Sequence, residues 1–216
     1  MMDLIVSIMP REEERECHLR ILSTGLCGLP LEKFIMFNGC GRNGKGLEND
    51  LYLRALGHYG MIANNEILTG RRNPEIANLD KKRLVIFREP SSRDKFQNGI
   101  VKELTGGGTL SARGLYEKDT QKVLTMTCIV ECNNRPLFAE VPQVAEMERV
   151  IDILFRNTFT DNEEEINPEN GVHRGNPRYK ELSFQIQHRC AFLKIIMEAY
   201  RRYENEKTMS SNSLFD

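Results

Sequence analysis

The chain has no surplus of charge. Its 216 residues hold 30 Lys and Arg against 31 Asp and Glu, a formal net charge of −1. A uniform positive field is excluded, so any contact with nucleic acid must come from a local basic patch. The six cysteines, Cys17, Cys27, Cys40, Cys128, Cys132 and Cys190, contain no C-x-x-C pair. This argues against a zinc site and a dense disulfide framework, and fits a reducing compartment. Cys128 and Cys132 fall four apart in a strand-like run, share one face and read as core. No apolar run approaches the roughly 20 residues of a membrane span. The opening "MMDLIVSIMPREEERE" has neither a basic leader nor a cleavage pattern. The expectation is a soluble, intracellular protein with no membrane partner. There is no repeat and no low-complexity tract. With 40% hydrophobic residues, the chain can bury the core of one ordinary domain.

Apolar and helical patterns alternate along the chain. "REEERECHLRILS" (11–23) reads as a helix, acidic early and apolar at Leu19, Ile21 and Leu22. "KFIMFNG" (33–39) reads as a buried strand running into a turn. "KGLENDLYLRALG" (45–57) reads as a helix stopped by Gly57. A second buried strand is expected in "KKRLVIFREP" (81–90), a short helix in 97–109, a third strand at 126–131 and a fourth apolar strand in 148–159. The polar stretch 160–177 reads as a loop or linker, and 179–206 as a long helix with an exposed charged face. Strands alternating with helices predict an α/β fold with a partly parallel sheet. Ligands in such sheets bind beyond the carboxyl ends of the strands.

Those strand ends carry the candidate chemistry. "GCGRNGKG" (39–46) nearly matches G-x-x-x-x-G-K-[ST], the phosphate loop, with Gly39, Gly41, Asn43, Gly44 and Lys45 in a strand–glycine–helix context. Glycines let backbone N–H groups turn toward phosphate, and the lysine reaches the β- and γ-phosphates as a point charge. The hydroxyl that normally ligates Mg²⁺ is missing, and Gly46 stands in its place. Glu89, after "LVIF", suits a carboxylate that holds Mg²⁺ through water or orients an attacking water. Asn133 or Asn134, after "CIVEC", suits a neutral sensor of the γ-phosphate. Arg149, just before the last strand, suits an arginine finger. "ARGLYEKDTQK" offers Arg113, Lys118 and Lys122 with an aromatic between them, a pattern that fits single-stranded nucleic acid. Each has a plain alternative: a strand-end acid beside proline, an asparagine opening a turn, or solvated charges.

"FNGCGRNGKG", "KRLVIFREP", "VKELTGGGTLSARGLY", "CNNRP" and "ERVIDILF" occur in an order and spacing that resembles the superfamily 3 helicase domain of the poxvirus D5-like primase-helicases. The matching blocks run from about residue 30 to 160. The resemblance implies a P-loop NTPase with an AAA+-like core, a hexameric ring, and ATP with Mg²⁺ between subunits. It further implies translocation along single-stranded DNA, with RNA as an alternative, and a primase domain or subunit as partner. Lys45 then resembles the Walker A lysine, Glu89 the motif B acid and metal ligand, Asn133 the sensor of an N-x-x-P motif, and Arg149 the arginine finger. Thr105, Gly106 and Gly107 with Arg113 and Tyr116 resemble the hairpin motif that faces the ring channel. The implied setting is the cytoplasm of an infected cell.

Three positions depart from the family pattern: Gly46 for Ser or Thr, Gly108 for Asp and Glu148 for Arg. The expected organisation is a helical lead-in (1–30), an NTPase core (31–160), a linker (161–178) and a C-terminal helix and tail (179–216). Two functional readings follow. One is an ATP-driven helicase or translocase of viral or phage-like DNA replication. The other, favoured by Gly46, is a degenerate nucleotide-binding, ring-building subunit with little ATPase activity of its own.

Overall fold

A strand covered on both faces reads as an unbroken apolar run, because neither side of the pleat meets water. The runs "FIMF", "LVIF" and "CIV" are of this kind. The computed structural model describes residues 1–29, 31–71, 73–106, 109–112 and 120–212, with backbone only at 109–112, 120–123 and 207–212. Two helices lead in, α1 (Met2–Ile8) and α2 (Glu12–Thr24). They are followed by β1 (Phe34–Asn38), α3 (Lys45–Leu56), β2 (Gly60–Ala63), β3 (Leu84–Arg88), β4 (Lys95–Phe96) and α4 (Asn98–Thr105). Next come β5 (Thr109–Ala112), β6 (Thr120–Val123), β7 (Thr127–Cys132), β8 (Leu137–Phe138) and α5 (Val144–Met147). The chain continues through β9 (Val150–Leu154), β10 (Thr158–Thr160), β11 (Val172–Arg174) and α6 (Leu182–Asn212).

Five strands form one parallel sheet in the order β2-β3-β7-β1-β9. Alternate residues of β1 serve opposite faces. Ile35 and Phe37 join one core with residues of α1, α2, α3 and α6. Phe34 and Met36 join a second core with Ile67, Leu68, Phe96, Val101 and Leu104. The buried cysteines Cys128 and Cys132 both belong to this second core, as their spacing predicts. The connection after β1 runs through α3 to β2 at the far edge, and the chain then returns across the sheet to β9 on the other side of β1. The direction of travel reverses at β1, the position where open α/β sheets bind ligands beyond their strand ends.

The fourth apolar segment, 148–159, does not form one strand. It splits into β9 and β10, because Phe155 turns into the core at 2% exposure and Asn157 donates its amide to the Ser7 carbonyl at 2.8 Å. Nor is 160–177 structureless. Asn162, Asn167 and Asn176 each accept a backbone N–H two or three residues on, and each opens a single 3₁₀ turn. Such asparagine turns compete locally with regular structure and are compatible with a polar sequence. Between two of these turns β11 pairs parallel with β10. Helix α1 packs Leu4, Ile5 and Ile8 into the first core. Strand β2, only four residues long, had no periodic signal to announce it.

A buried polar pair joins α2 to α3. His18 Nε2 and Glu48 Oε2 lie 2.7 Å apart at 0% and 1% side-chain exposure. The His18 ring packs against Phe37 and Phe155, with centroids at 4.9 and 5.4 Å. Tyr52 donates to the Leu22 carbonyl at 2.7 Å and ties the same two helices. Among the described residues no helix is long and apolar enough to cross a membrane.

Phe37 is fully buried between His18 and Phe155. The Phe37→Ala variant is expected to lose about 3–5 kcal/mol of stability, the usual cost of a cavity at a buried aromatic. Urea unfolding followed by circular dichroism measures this. A loss under about 1 kcal/mol would mean that the helices do not close over β1 as described.

Candidate functional site at the carboxyl end of the sheet

The loop between β1 and α3 is shaped by glycine where the backbone demands it. Gly39 has φ 148 and Gly44 has φ 90, in the region that L-residues disfavour. A Cβ on Gly39 would lie 2.5 Å from the Phe155 carbonyl oxygen, and one on Gly44 would lie 2.7 Å from Ile8 Cγ1. Helix α1 therefore presses on the loop from outside. Gly41 is exposed, and apart from its chain neighbours no described residue lies within 4 Å of its Cβ position. Asn43 is buried, and its Oδ1 accepts from the Lys45 backbone N–H at 3.3 Å. Its Nδ2 is buried and has no partner among the described residues. Arg42 is held outward by Glu165 at 3.2 Å, and its carbonyl accepts from Phe159 N at 2.7 Å. The segment after β9 thus braces the loop.

Lys45 opens α3 with its ammonium turned back under the loop. Nζ donates to the Gly39 carbonyl (2.6 Å), the Cys132 carbonyl (3.0 Å) and Asn133 Oδ1 (3.1 Å). The residue is 6% exposed. Burial lowers its pKa from the ordinary lysine value, while the negative charges of Glu131 and Glu89 oppose that shift. Loop, lysine and Asn133 are therefore already joined. The amino end of α3 adds a partial positive charge at the same place.

Glu89 stands directly after β3 in a left-handed conformation, φ 44, with its backbone N–H bonded to the Glu131 carbonyl at 2.8 Å. Glu131 itself is a further acid at this rim that no motif of the sequence marks. It is the penultimate residue of β7, 5% exposed, and lines the same cleft. Its Oε1 accepts from Asn49 Nδ2 at 2.7 Å and lies 3.3 Å from Arg88 Nε. Burial pushes its carboxyl above the usual range, against the pull of Asn49, Arg88 and Lys45. Burial also works against the charge of Arg88, but Asp50 at 2.6 Å and Glu131 more than offset it, so the guanidinium is held firmly protonated. The signal for this network was a lone acid inside the apolar run "CIVEC", together with Asn49 one helical turn after Lys45.

Lys45, Gly46, Glu89, Glu131 and Asn133 line one cleft of about 1060 Å³. Its opposite wall comes from α1 and from residues 157–180, including Phe159, His173 and Tyr179. A concave site of mixed apolar and charged lining is the usual form of a small-molecule pocket. Arg149 is not in it. It sits at the amino end of β9, beyond the opposite rim of the sheet, with Nη1 3.3 Å from Thr105 Oγ1. Arg113 and Lys118 lie outside the described residues. Of Lys122 only the backbone is described, in the antiparallel β5–β6 pair. Among the described residues no group of three His, Cys, Asp or Glu is placed to hold a metal by itself.

The fold has the class of a mostly parallel α/β domain found in solved structures of the NrS-1 C terminal region. Two apo structures match with TM-scores of 0.64 and 0.65 at 17% and 16% identity, over 90% and 92% of this chain and 44% of each of those. At such identities the likeness is one of fold. By sequence the chain is similar to viral proteins. It is 32% identical over 164 residues to "Putative helicase 022R" of Frog virus 3 (isolate Goorha), covering 71% of this chain and 17% of that protein. It is 32% identical over 136 residues to "Putative helicase L207/L206" of Acanthamoeba polyphaga mimivirus, covering 60% and 14%. To "Uncoating factor OPG117" of Vaccinia virus (strain Western Reserve) it is 27% identical over 221 residues, covering 94% and 28%. The chain thus spans less than a third of the length of each of these relatives. No family model matches it.

Two cysteines, Cys40 and Cys132, report on this end of the sheet. Cys40 is exposed in the glycine loop, whereas Cys132 is buried with its thiol pushed up to about 11, and Cys128 to about 12. Thiolate is the reactive form. Alkylation of the folded protein, read by peptide mass spectrometry, is expected to mark Cys17, Cys40 and Cys190 well before Cys128 and Cys132. Early marking of Cys132 would contradict a closed sheet end.

Proposed function

We propose that the chain is the NTPase core of a viral helicase or translocase, binding ATP with Mg²⁺ in the cleft around Lys45. One observation carries this reading. A buried lysine opens a helix directly after a glycine-shaped loop, and its ammonium already contacts the loop and the end of the neighbouring strand. A loop with left-handed glycines, a helix amino end and an inward ammonium suits a polyphosphate. The orphan amide of Asn43 is a further donor beside the loop. Glu89 and Glu131 supply negative charge where a divalent cation with phosphates would sit.

In this reading Lys45 and the loop glycines Gly39, Gly41, Gly44 and Gly46, with Asn43, hold the triphosphate. Glu89 orients water or the cation, and Asn133 senses the terminal phosphate. The lysine exchanges its present carbonyl partners for phosphate oxygens, which frees the Asn133 amide. Arg149 lies at the wrong end of the sheet to serve its own cleft, so its role as arginine finger requires a neighbour in a ring, for which a hexamer is our reading. The segment from Arg113 through Lys118 to Lys122 is the proposed contact for single-stranded DNA, with RNA as an alternative, and a primase domain or subunit is a proposed partner. The similarity to viral proteins named helicases supports the assignment. The second reading, a nucleotide-binding ring subunit with little turnover, is favoured by Gly46 alone.

The Lys45→Ala variant is expected to lose fluorescent-nucleotide binding and any ATPase activity, with or without single-stranded DNA, while keeping its unfolding temperature within a few degrees. Retained binding would refute the cleft as the nucleotide site. For Arg149, single-variant preparations of Arg149→Ala and Lys45→Ala should both be nearly inactive, since an arginine finger is worth roughly 10³-fold or more. Mixing the two should restore part of the activity, because some interfaces then carry both native residues. No recovery in assemblies shown to be mixed would leave Arg149 without a role in trans.

A further inference from the structure

We propose that the Glu131 carboxylate supplies the divalent-cation ligand that the loop lacks at Gly46. The inference rests on the nucleotide reading above and concerns which residue of this chain meets the cation. In the usual loop the residue after the lysine points a hydroxyl at the metal. Here, among the described residues outside its own helix turn, a Cβ built on Gly46 would have one neighbour within 4 Å, Glu131 Oε2 at 3.8 Å. A carboxylate oxygen on β7 thus lies across the cleft within contact distance of the point from which a serine side chain would start.

The two oxygens of Glu131 are differently engaged. Oε1 is fixed by Asn49 and lies beside Arg88. No described residue hydrogen-bonds Oε2. The carboxylate is thus held by its back oxygen with its front oxygen turned to the loop. Asn49 lies one turn after Lys45 on α3, and Arg88 lies one residue before Glu89 on β3, so the groups that orient Glu131 belong to the same rim. Magnesium commonly takes one or two carboxylates and completes its shell with phosphate oxygens and water. Glu131 and Glu89 meet that need. The protein alone offers too few ligands to retain an ion, so the cation arrives with the triphosphate.

Replacing a neutral hydroxyl by a carboxylate has a consequence that a merely structural acid would not produce. Without a divalent cation, Glu131 repels the phosphates; with one, it attracts the pair. The ratio of nucleotide affinity in Mg²⁺ to that in EDTA should be large in the native chain. In Glu131→Gln it should fall at least about tenfold, the lower end of what loss of a metal-site group costs, with binding in EDTA unchanged or tighter. Gly46→Ser in the Glu131→Gln background should recover part of the ratio, and Gly46→Ser alone should add little.

The experiment is a fluorescent-nucleotide titration of the full chain in Mg²⁺ and in EDTA, for the native protein and the three variants, with thermal unfolding as a folding control. A native ratio in folded Glu131→Gln, with Lys45-dependent binding intact, overturns this inference and leaves the nucleotide reading standing. No nucleotide binding by the native chain in either condition overturns both. If Glu131→Gln does not fold, Gly46→Ser alone decides. A gain in the Mg²⁺ ratio of about tenfold or more would mean that the ligand position was vacant, and no gain supports Glu131 as its occupant.

Discussion

A parallel strand paired on both edges and covered on both faces leaves a polar side chain almost nowhere to go but its ends. Strand β1 is in that position, between β7 and β9 with a core on each side. The constraint concentrates polar chemistry at one rim. Its residues 34–37 are apolar, and the first polar one is Asn38 at the strand's end. The glycine loop follows directly. Because neighbouring strands run parallel, their own ends bring Glu89 and Asn133 to the same rim. The site is in this sense a product of the sheet, and the braces from α1 and residues 155–165 hold what the sheet has gathered.

Not all the glycines of the loop have the same reason to be glycine. At Gly39 and Gly44 both the backbone angle and the surrounding atoms forbid a side chain. At Gly41 and Gly46 neither does. Gly46 lies in the first turn of α3, where an added Cβ would make only an ordinary contact with the Glu131 carboxylate. The fold would accept serine there, so the missing hydroxyl is a matter of the site's chemistry and not of packing. Seen this way, Gly46 and Glu131 are one feature, a small residue on the helix facing an acid on the strand.

The sequence made the large elements legible because their signals are local. The glycine spacing, the apolar runs of β1, β3 and β7, and the acidic start of α2 each need only a few neighbouring residues to be read. Four of the five sheet strands were visible this way, along with Lys45, Glu89 and Asn133 at one rim. What could not be read depends on residues far apart in the chain. Glu131 looks like an oddity in a buried strand until Asn49 and Arg88, 82 and 43 positions away, are found beside it. The 157–180 wall was hidden for a different reason. Its order comes from asparagine turns, which in composition are indistinguishable from a linker.

The placement of Arg149 argues further about what a single chain can do. Parallel strands have two rims, and a residue that begins β9 is separated from the end of β1 by the length of the sheet. No rotamer change spans that distance, since a strand of five residues already runs about 17 Å. A charge at the amino rim can reach a cleft at the carboxyl rim only on another molecule. If Arg149 has a part in the reaction, the chemistry belongs to an interface. The isolated chain presents a cleft with Lys45, Glu89, Glu131 and Asn133 at one rim, and a charge from the opposite rim could enter it only from another molecule.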